Sequence, residues 1–453
     1  MTTNSMVMKP KNWRTEATMS ISLQNEEILQ EHAAEWCRQN VSVDNLNEAE
    51  QLAMEMGRKL SQAMLSAMVE QIDEKKTYQG TRIECECGRD ARFVDYRARW
   101  VRTLCGDIRV LRAYYHCREC HRGISPWDAD QGLTERIWSP GVKSLVAEMC
   151  ARLTYSEAAS LLGRVLGFGI EESSQQEIVI GIGKELRAEE SARIEGCIDG
   201  EDIIVTRERP SRLYVSMDAA KAHTGGSWHD IKTGVVFEGK RPQEGSERKT
   251  DEMGKPRYVA AQETSEEFGR RLYVRAQLCG LERAKMVVVI GDGAEWIWNE
   301  AKMHFPRSIQ ILDYYHACEH IYNLATVLYG ESNANGKRWA KTHCDRLKTA
   351  GPQRLLKALK RRKPKIEEQK EALRLAIGYF RTHRRRMNYP KYLAKGIMIG
   401  SGPVEAACKV VVGQRLKQAG MRWSEGGADA ILAVRTAVLS NETERIQHLA
   451  RAA

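Results

Sequence analysis

Three acidic residues stand where a metal-dependent phosphoryl-transfer site would need them. Asp218 follows the β-like run Leu213-Tyr-Val-Ser-Met, Asp292 follows the apolar run 286–291, and Glu405 lies near the predicted start of a helix. Carboxylates at strand ends can hold two divalent cations about 3.5–4 Å apart, which stabilise both the attacking and the leaving oxygen of such a transfer. An aspartate at a strand end is also a common turn residue, so the prediction depends on all three carboxylates meeting.

Four of the twelve cysteines form two pairs around a β-like stretch. The pairs are Cys85-Glu-Cys87 and Cys117-Arg-Glu-Cys120, and apolar and basic residues alternate between them. Two such pairs at the ends of a β-meander are typical of a tetrahedral structural zinc site, although the first pair is one residue short. The sequence predicts that Cys85, Cys87, Cys117 and Cys120 bind a structural Zn²⁺. Four free thiols in a small β domain are the alternative.

The positive charge of the chain is concentrated in one segment. The 453 residues carry 70 lysines and arginines against 60 aspartates and glutamates, a formal net charge of +10. Residues 337–395 alone hold 20 basic and 4 acidic residues. A concentrated basic stripe favours contact with the nucleic-acid backbone, and a solvated helical face is the alternative. The predicted DNA contacts are Arg361, Arg362, Arg384, Arg385, Arg386, Arg415 and Lys417.

Membrane and secretion signals are missing from the sequence pattern. No apolar run approaches the roughly 18 residues that cross a bilayer, and the first residues do not resemble a signal peptide. We therefore expect a cytoplasmic protein with no membrane partner. In that compartment, twelve cysteines indicate metal ligands or buried thiols rather than disulfides.

The order of predicted elements indicates a multidomain α/β protein. Beyond residue 201, predicted strands alternate with helices, and the strands cover 212–217, 233–237, 258–262, 286–290 and 308–312. The predicted parts are an N-terminal helical region (1–80), a zinc-ribbon-like β module (81–133), a helix-turn-helix region (134–200), the first part of an α/β core (201–320), a basic helical insertion (321–395) and a segment that completes the core with the Glu405 helix (396–453).

Residues 139–190 predict three consecutive helices. Ser139 caps the first, and Thr154 with Glu157 and Ser174 with Glu177 form capping-box patterns that start the second and third. Helix, tight turn and helix is the helix-turn-helix pattern, which places a recognition helix in the DNA major groove. Many helical hairpins share the pattern, so DNA binding here is one of two interpretations.

Four motifs occur together in a familiar order. They are Gly291-Asp-Gly-Ala-Glu-Trp-Ile-Trp298, Ile311-Leu-Asp-Tyr-Tyr-His316, Gly400-Ser-Gly-Pro-Val-Glu-Ala-Ala-Cys-Lys409 and Gly420-Met-Arg-Trp423. In these motifs the chain resembles bacterial insertion-sequence transposases of the ISKra group, which are kin to the Mutator-like transposases. The resemblance extends from the cysteine module to about residue 439. The chain departs from it in the shortened first cysteine pair and in Ala219-Ala220, where relatives often have glycine.

The resemblance implies a ribonuclease-H-like catalytic core with an all-helical insertion. Asp218, Asp292 and Glu405 would be its DDE triad and would bind Mg²⁺ or Mn²⁺, with Asp313 and His316 in supporting roles beside the triad. The implied substrates are the terminal inverted repeats of the element and a target DNA. Breakage at two ends makes a homo-oligomer the expectation, and a bacterial protein of this class would be associated with the nucleoid.

Two other functions stay open at this level. The sequence His316-Ala-Cys-Glu319-His320 places two histidines on one helical face with a glutamate between them, as in an inverted zincin metallopeptidase. That interpretation leaves Asp218, Asp292 and the basic stripe unexplained. A non-catalytic DNA-binding regulator would explain the charge and the cysteine module, but not the carboxylates at strand ends.

Overall fold

The computed structural model describes residues 23–71, 77–133, 137–200, 204, 206–243, 245 and 249–451. The first 22 residues of the predicted N-terminal region lie outside the described residues. Contacts divide the chain into two compact units, Met1–Ala67 and Met68–Ala453. The first unit consists of α1 (Leu23–Asn40) and most of α2 (Leu46–Glu70). No described residue of α2 is buried; its apolar side chains are exposed, as at Leu60, Met64 and Met68, or half-buried, as at Leu52 and Met56.

A small antiparallel sheet follows in the second unit. Its strands are β1 (Arg82–Glu84), β2 (Asp90–Thr103), β3 (Gly106–Cys117) and β4 (Gly123–Ile124), paired in chain order. Tyr115 and Ala91 are fully buried at the end of the β2–β3 hairpin that carries the cysteines. The prediction of a β module between the two cysteine pairs is therefore confirmed.

A mixed sheet forms the centre of the second unit. Its strands are β5 (Leu213–Thr224), β6 (Ser227–Lys240), β7 (Glu252–Met253), β8 (Arg257–Ala261), β9 (Val287–Gly291) and β10 (Ile309–Leu312). Strand β9 lies parallel between β5 and β10, while β6 is antiparallel to β5 and to β8. Helices α7 (Ser265–Leu278) and α8 (Glu295–His304) make the connections around β9. The carboxyl ends of β5, β9 and β10 therefore point the same way.

Strand β5 is longer than predicted, and Asp218 does not end it. The strand continues to Thr224 as a hairpin with β6, closed by Gly225 and Gly226, both with positive φ. Such two-residue glycine turns suit hairpins because their twist matches the strands. Pairing between β5 and β9 stops at Ser216 opposite Ile290. Asp218 therefore lies where the parallel part of the sheet ends, although its own strand goes on.

The helices before the mixed sheet pack on a late helix of the chain. They are α3 (Pro126–Asp130), α4 (Pro140–Arg152), α5 (Tyr155–Leu166) and α6 (Glu172–Ile198). Helices α4–α6 share one hydrophobic core with α16 (Glu425–Leu439). Gly183 of α6 lies so close to Ala430 that a Cβ would meet it at 2.6 Å. The predicted helix-turn-helix region is thus fixed along α6 by the C-terminal part of the chain.

Two of the three predicted helix caps in this region are observed. Ser139 accepts a hydrogen bond from the Val142 amide, and Thr154 with Glu157 forms a complete capping box. The predicted Ser174 cap is wrong, because α6 begins at Glu172. The fully buried Gln175 donates to the Ile170 carbonyl at 2.8 Å. This hydrogen bond holds the chain just before α6, and the helix begins earlier than the capping pattern predicts.

From residue 314 the chain is mostly helical. The remaining elements are α9 (Tyr314–Tyr329), α10 (Ala334–Ala350), α11 (Pro352–Lys360), α12 (Glu367–Thr382), α13 (Tyr389–Ala394), α14 (Gly402–Ala407), a π-helical segment (Cys408–Gly413), α15 (Gln414–Leu416), α16 and α17 (Thr443–Leu449). Leu347, Leu359 and Phe380 of this region are buried in the same hydrophobic core as the mixed sheet. The basic segment is therefore packed on the sheet rather than separate from it.

Candidate functional site

Asp218 and Asp292 lie on neighbouring strands at one edge of the mixed sheet. Asp218 pairs with Thr233 of β6, two residues beyond the last β5–β9 pair. Asp292 directly follows β9. Because β5 and β9 are parallel, their pairing ends at one edge of the sheet; Asp292 follows its strand there as predicted, whereas Asp218 lies within β5.

Asp218 is half-buried and lies in the field of two other carboxylates. Burial is the largest effect that raises its pKa, and the negative charges of Asp292 and Glu405 raise it further. The Ala219 amide, which donates to Asp218 Oδ1 at 2.7 Å, acts in the opposite direction. The Cys408 thiol donates to Oδ2 at 3.7 Å. In the described residues Asp218, Asp292 and Glu405 do not form a ligand group as compact as that of the four cysteines, so the fold brings them into one electrostatic field without assembling a closed metal site.

The Asp292 turn is held from the helical segment. Asp292 Oδ1 accepts a hydrogen bond from the Ala294 amide at 2.9 Å. The next residue, Gly293, has φ of +114°, and a Cβ there would lie 2.9 Å from the Tyr379 hydroxyl oxygen. Tyr379 of α12 donates this hydroxyl to the Asp292 carbonyl at 3.3 Å. The backbone of the turn therefore depends on a glycine and on a distant tyrosine.

Glu405 reaches the site on the short helix α14, which packs against β5 and β6. Its side chain is exposed. Asp313 Oδ2 accepts from the Ser401 amide and from its hydroxyl, whose single proton can alternatively be donated to Glu405 Oε1 at 3.2 Å. Ser401 was not predicted as a site residue, although it stands in the Gly-Ser-Gly-Pro motif before Glu405.

Asp313 is fully buried at the end of β10. Its Oδ1 caps α9 by accepting from the amides of Tyr315 and His316, and its Oδ2 accepts from Ser401. Both carboxylate oxygens are thus used within the protein. Asp313 joins β10, α9 and the segment leading to Glu405, and this geometry suits positioning rather than direct contact with a substrate.

A row of aromatic and histidine rings extends from α9 to α12. The rings of His316 and His320 lie 5.0 Å apart, and the His320 ring stacks on Tyr379 at 3.9 Å. Burial lowers the pKa of His320, so it is neutral at neutral pH. His316 Nδ1 lies 3.3 Å from the Glu319 carboxylate. In the part of the chain that the structure describes, these two histidines are not joined by a third ligand in a metal-binding group.

The four predicted zinc ligands converge. The Sγ atoms of Cys85, Cys87, Cys117 and Cys120 all lie within 4.8 Å of one another. Cys85 and Cys120 are 3.5 Å apart, and Cys87 and Cys117 are 3.7 Å apart. Each pair lies on a tight turn, with positive φ at Gly88 in the first and at His121 in the second. The shortened first pair therefore still presents both sulfurs, and the cluster is suited to a structural Zn²⁺.

The thiols of this cluster differ: backbone amides act to lower the pKa of Cys85, Cys87 and Cys117, but burial and neighbouring thiols outweigh this at Cys85 and Cys87 and raise the pKa, at Cys87 to about 12. Hydrogen bonds from the amides of Cys120 and Glu119 lower the pKa of the Cys117 thiol to about 7. Thiolate is the form that binds metal. Cys85 and Cys117 are buried in the small core of the sheet, so a bound ion would join the two turns that close this module.

The predicted DNA contacts differ in their exposure. Arg361, Arg384, Arg385 and Lys417 are exposed, whereas Arg362 and Arg386 are half-buried. The Arg362 guanidinium lies over the rings of Tyr329 and Trp339. The four exposed side chains can contact a polyanion without a change in the fold. The two half-buried arginines, Arg362 and Arg386, are held against aromatic rings.

Arg415 lies in the interior, contrary to the surface contact predicted for it. Its side chain is fully buried, and its guanidinium lies between the rings of Tyr155 and Trp423 at 4.8 and 4.7 Å. Its Nε donates to the Cys150 carbonyl at 2.8 Å. Stacking on two rings suits a weakly hydrated guanidinium. Arg415 thus joins α15, which directly follows the π-helical segment, to α4 and α5, and we exclude it from the candidate interface.

Fold and site together define a mixed α/β protein with a four-cysteine sheet, a mixed sheet with parallel strands and many helices. Over residues 41–449 the chain matches a family described as an uncharacterised protein family, UPF0236, and it belongs to that family. Among curated proteins, none matches the chain. None of the helices in the described ranges has the length and apolar character needed to cross a membrane.

Proposed function

We propose that this chain is a DDE transposase that cleaves and joins DNA at the ends of an insertion sequence. The observation that carries the proposal is the edge of the mixed sheet, where Asp218 and Asp292 lie on neighbouring parallel strands within the electrostatic reach of Glu405. A structural role in a turn would explain a single aspartate. It does not explain why Glu405, which is far along the chain, lies in the electrostatic field of Asp218.

The strand order supports a ribonuclease-H-like core. Strands β8, β6 and β5 form an antiparallel meander, and β9 and β10 continue the sheet parallel to β5. A ribonuclease-H-like core is expected to have this arrangement. One acidic residue, Asp218, lies on its first strand (β5), and another, Asp292, follows its fourth strand (β9). The helices between β10 and α14 then correspond to the insertion that the sequence resemblance implies.

The chemistry follows from the open arrangement of the carboxylates. Asp218, Asp292 and Glu405 would hold Mg²⁺ or Mn²⁺, which supplies a deprotonated nucleophile and stabilises the leaving oxygen. For cleavage, water attacks the phosphorus and the bond to the 3′-oxygen breaks, which leaves a 3′-hydroxyl. For strand transfer, that 3′-oxygen attacks a target phosphodiester and forms a new bond to its phosphorus, while the bond to the target's own 3′-oxygen breaks and that oxygen leaves as a 3′-hydroxyl. Asp313 and Ser401 would orient the Glu405 helix, and His316 would hydrogen-bond a phosphate.

The partners follow from charge and from this chemistry. Exposed Arg361, Arg384, Arg385 and Lys417 are suited to DNA phosphates, and the DNA would be the terminal repeats of the element and a target. The basic β module and α6 would add contacts to the ends. A homo-oligomer and a location at the bacterial nucleoid follow from the proposal alone. The four-cysteine cluster would hold one structural Zn²⁺.

The test is a cleavage assay with the element's own ends. The purified chain is incubated with a supercoiled plasmid that carries the element and its flanks, with Mg²⁺ and with EDTA. We expect Mg²⁺-dependent nicks or breaks at the element ends. Tight binding without breakage in Mg²⁺ or Mn²⁺ would contradict the transposase and favour a DNA-binding regulator. Peptide hydrolysis that is lost in Glu319→Gln would favour the metallopeptidase.

A further inference from the structure

A cavity of about 690 Å³ lies beside the outer strand β10 of the mixed sheet. It is enclosed by the end of α8, the start of β10 and the turn between α12 and α13. Five cationic side chains line it, and no acidic side chain does in the described part of the chain: Lys302, Arg385, Arg386, Lys391 and Lys395. We infer that this cavity binds phosphate groups of the DNA strand that is cut at the carboxylate edge. The inference rests on the proposed function and adds a defined substrate-binding site to it.

Arg386 forms the fixed wall of the cavity. Its Nε donates to Gln310 Oε1 at 3.0 Å, and its guanidinium lies 4.1 Å from the centre of the Trp298 ring. A further nitrogen lies 3.3 Å from His383 Nδ1. These three contacts orient the guanidinium without neutralising it, because none of them is a carboxylate. A half-buried cation with no counter-ion is costly, and a phosphate in the cavity would offset that cost.

His383, which contacts Arg386, adds no second positive charge at this wall of the cavity. Burial, followed by the charge of Arg386, lowers the pKa of His383 to about 4. The imidazole is therefore neutral at neutral pH, and its Nδ1 can accept a hydrogen bond from the guanidinium. The positive charge at the wall belongs to Arg386 alone.

The other four cations come from separate elements and are exposed at the rim. Lys302 belongs to α8, Lys391 to α13, and Arg385 and Lys395 to the flanking turns. In the described ranges their side chains form no ion pair with a carboxylate. Flexible ammonium groups around one oriented guanidinium can surround a phosphate from several sides. Asn388 and Thr382 add neutral polar groups to the lining, while the Ser308 hydroxyl donates to the Phe305 carbonyl at 2.6 Å.

The cavity lies at the amino end of β10, whereas the candidate catalytic turn lies at the carboxyl edge of the sheet, and the chain from Tyr379 to Arg386 links the two. The chain between Tyr379 and Arg386 contacts the Asp292 carbonyl at one end and Gln310 at the other. Gln310 precedes the buried Asp313 by three residues of β10, a length on the order of 10 Å. One DNA strand that passes Asp292 can therefore place a phosphate a few nucleotides away in the cavity. Free phosphate shares this chemistry, and the experiment separates the two.

The test uses the full-length chain in EDTA, with inorganic pyrophosphate as the small probe. Calorimetry measures pyrophosphate binding, and fluorescence anisotropy measures binding of a labelled single-stranded oligonucleotide. The cavity variant is Lys391→Gln with Lys395→Gln. The matched control is Lys337→Gln with Lys341→Gln, which removes the same charge from α10 outside the cavity. A second cavity variant, Lys302→Gln, acts from a different element. Thermal unfolding verifies the fold of each.

We expect the wild type and the control to bind pyrophosphate equally, and both cavity variants to bind it several-fold more weakly. Pyrophosphate should displace the oligonucleotide from the wild type. The salt slope for the oligonucleotide should flatten by up to about two units in the double cavity variant. Equal pyrophosphate affinity in cavity and control variants would overturn the inference. Binding of pyrophosphate that leaves the oligonucleotide in place would overturn the DNA assignment.

These outcomes are independent of catalysis. If the plasmid assay shows no cleavage but pyrophosphate still competes with DNA through the cavity lysines, the transposase proposal fails and the phosphate site stands. If cleavage occurs and the cavity variants behave like the control in both binding assays, the phosphate site fails and the transposase proposal stands.

Discussion

The two candidate metal sites of this chain are assembled in opposite ways. The four cysteines come from two tight turns of one small sheet, and their sulfurs lie within 4.8 Å of one another. The three carboxylates come from β5, the end of β9 and α14, and burial, followed by the charges of Asp292 and Glu405, raises the pKa of Asp218. The sulfurs of the first set converge within one sheet, whereas the carboxylates of the second set are carried by three separate elements.

This difference separates structural from catalytic use of a metal. A closed sulfur site leaves no position for a substrate, so an ion there contributes to folding. An open carboxylate site gains its order from the surrounding protein: Tyr379 holds the Asp292 turn, and Asp313 with Ser401 holds the Glu405 helix. We therefore expect damage to the cysteine site to appear as loss of stability, and damage to the carboxylate site as loss of activity.

The largest expected effect is on cleavage. Asp218→Asn, Asp292→Asn and Glu405→Gln each remove a metal-binding charge at nearly constant volume. Loss of several kcal/mol of transition-state stabilisation should lower the cleavage rate by at least about 10³-fold, with the fold and DNA binding retained. The plasmid assay measures it, and Asp345→Asn on α10 is the matched control. Any triad variant that keeps near-wild-type cleavage in Mg²⁺ removes that residue from the triad.

The second effect is on metal content and on the small sheet. Cys117→Ser should abolish one equivalent of zinc per chain and unfold the β1–β4 sheet, because structural zinc contributes roughly 10–16 kcal/mol of binding free energy in small domains. Elemental analysis and protease sensitivity measure it. Cys105→Ser lies in the same module outside the cluster and should keep its zinc. A folded, zinc-free wild type would contradict this expectation.

A third effect concerns DNA affinity. Arg361→Gln, Arg384→Gln and Arg385→Gln together remove three exposed charges, so the log–log salt slope should flatten by up to about three units. Sequence preference should be unchanged, because phosphate contacts carry no base information. Filter binding over a salt series measures both quantities. An unchanged slope would mean that this face is solvated and that the DNA lies elsewhere.

A smaller effect is expected at His316. His316→Ala removes one hydrogen-bonding group beside the triad and should reduce cleavage by about tenfold. Its zinc content should equal that of the wild type, because the zinc is expected at the cysteines. Loss of a stoichiometric zinc ion in this variant would instead support the metallopeptidase.

The smallest effect is on the stability of the metal-free protein. Asp218→Asn removes a half-buried charge that Asp292 and Glu405 repel, so in EDTA the variant should unfold at a higher temperature than the wild type. The sign follows from the raised pKa of Asp218: the ionised form is the less stable one in the fold. Mg²⁺ should then stabilise the wild type more than the variant. A variant less stable than the wild type in EDTA would show that these charges do not repel.

Features set by local sequence were predictable. The strands β8, β9 and β10 differ from their predicted bounds by one residue, and the caps at Ser139 and Thr154 are observed. The cysteine cluster was predictable from the positions of the two cysteine pairs before and after the β2–β3 hairpin. The extent of β5 was missed because its second half is polar and is ordered by pairing with β6, not by burial of an apolar run.

Features set by distant contacts were not predictable. Nothing near Tyr379 in the sequence indicates that its hydroxyl reaches Asp292, and nothing near Arg415 indicates two aromatic rings around it. The basic residues of a stripe look alike in sequence. Only the fold distinguishes the oriented Arg386 from the exposed Arg385.

Because of the π-helical segment Cys408–Gly413, the direction of the Glu405 side chain depends on the number of residues that follow it before Arg415. The far end of this segment is fixed by Arg415, stacked on two rings, and by Arg435, which donates to the Val410 carbonyl at 2.9 Å. Each helical residue turns the chain by about 100°, so deleting one residue here would rotate Glu405 away from the sheet edge while the buried arginines stayed in place. Homologous chains should therefore keep the same number of residues between Glu405 and Arg415.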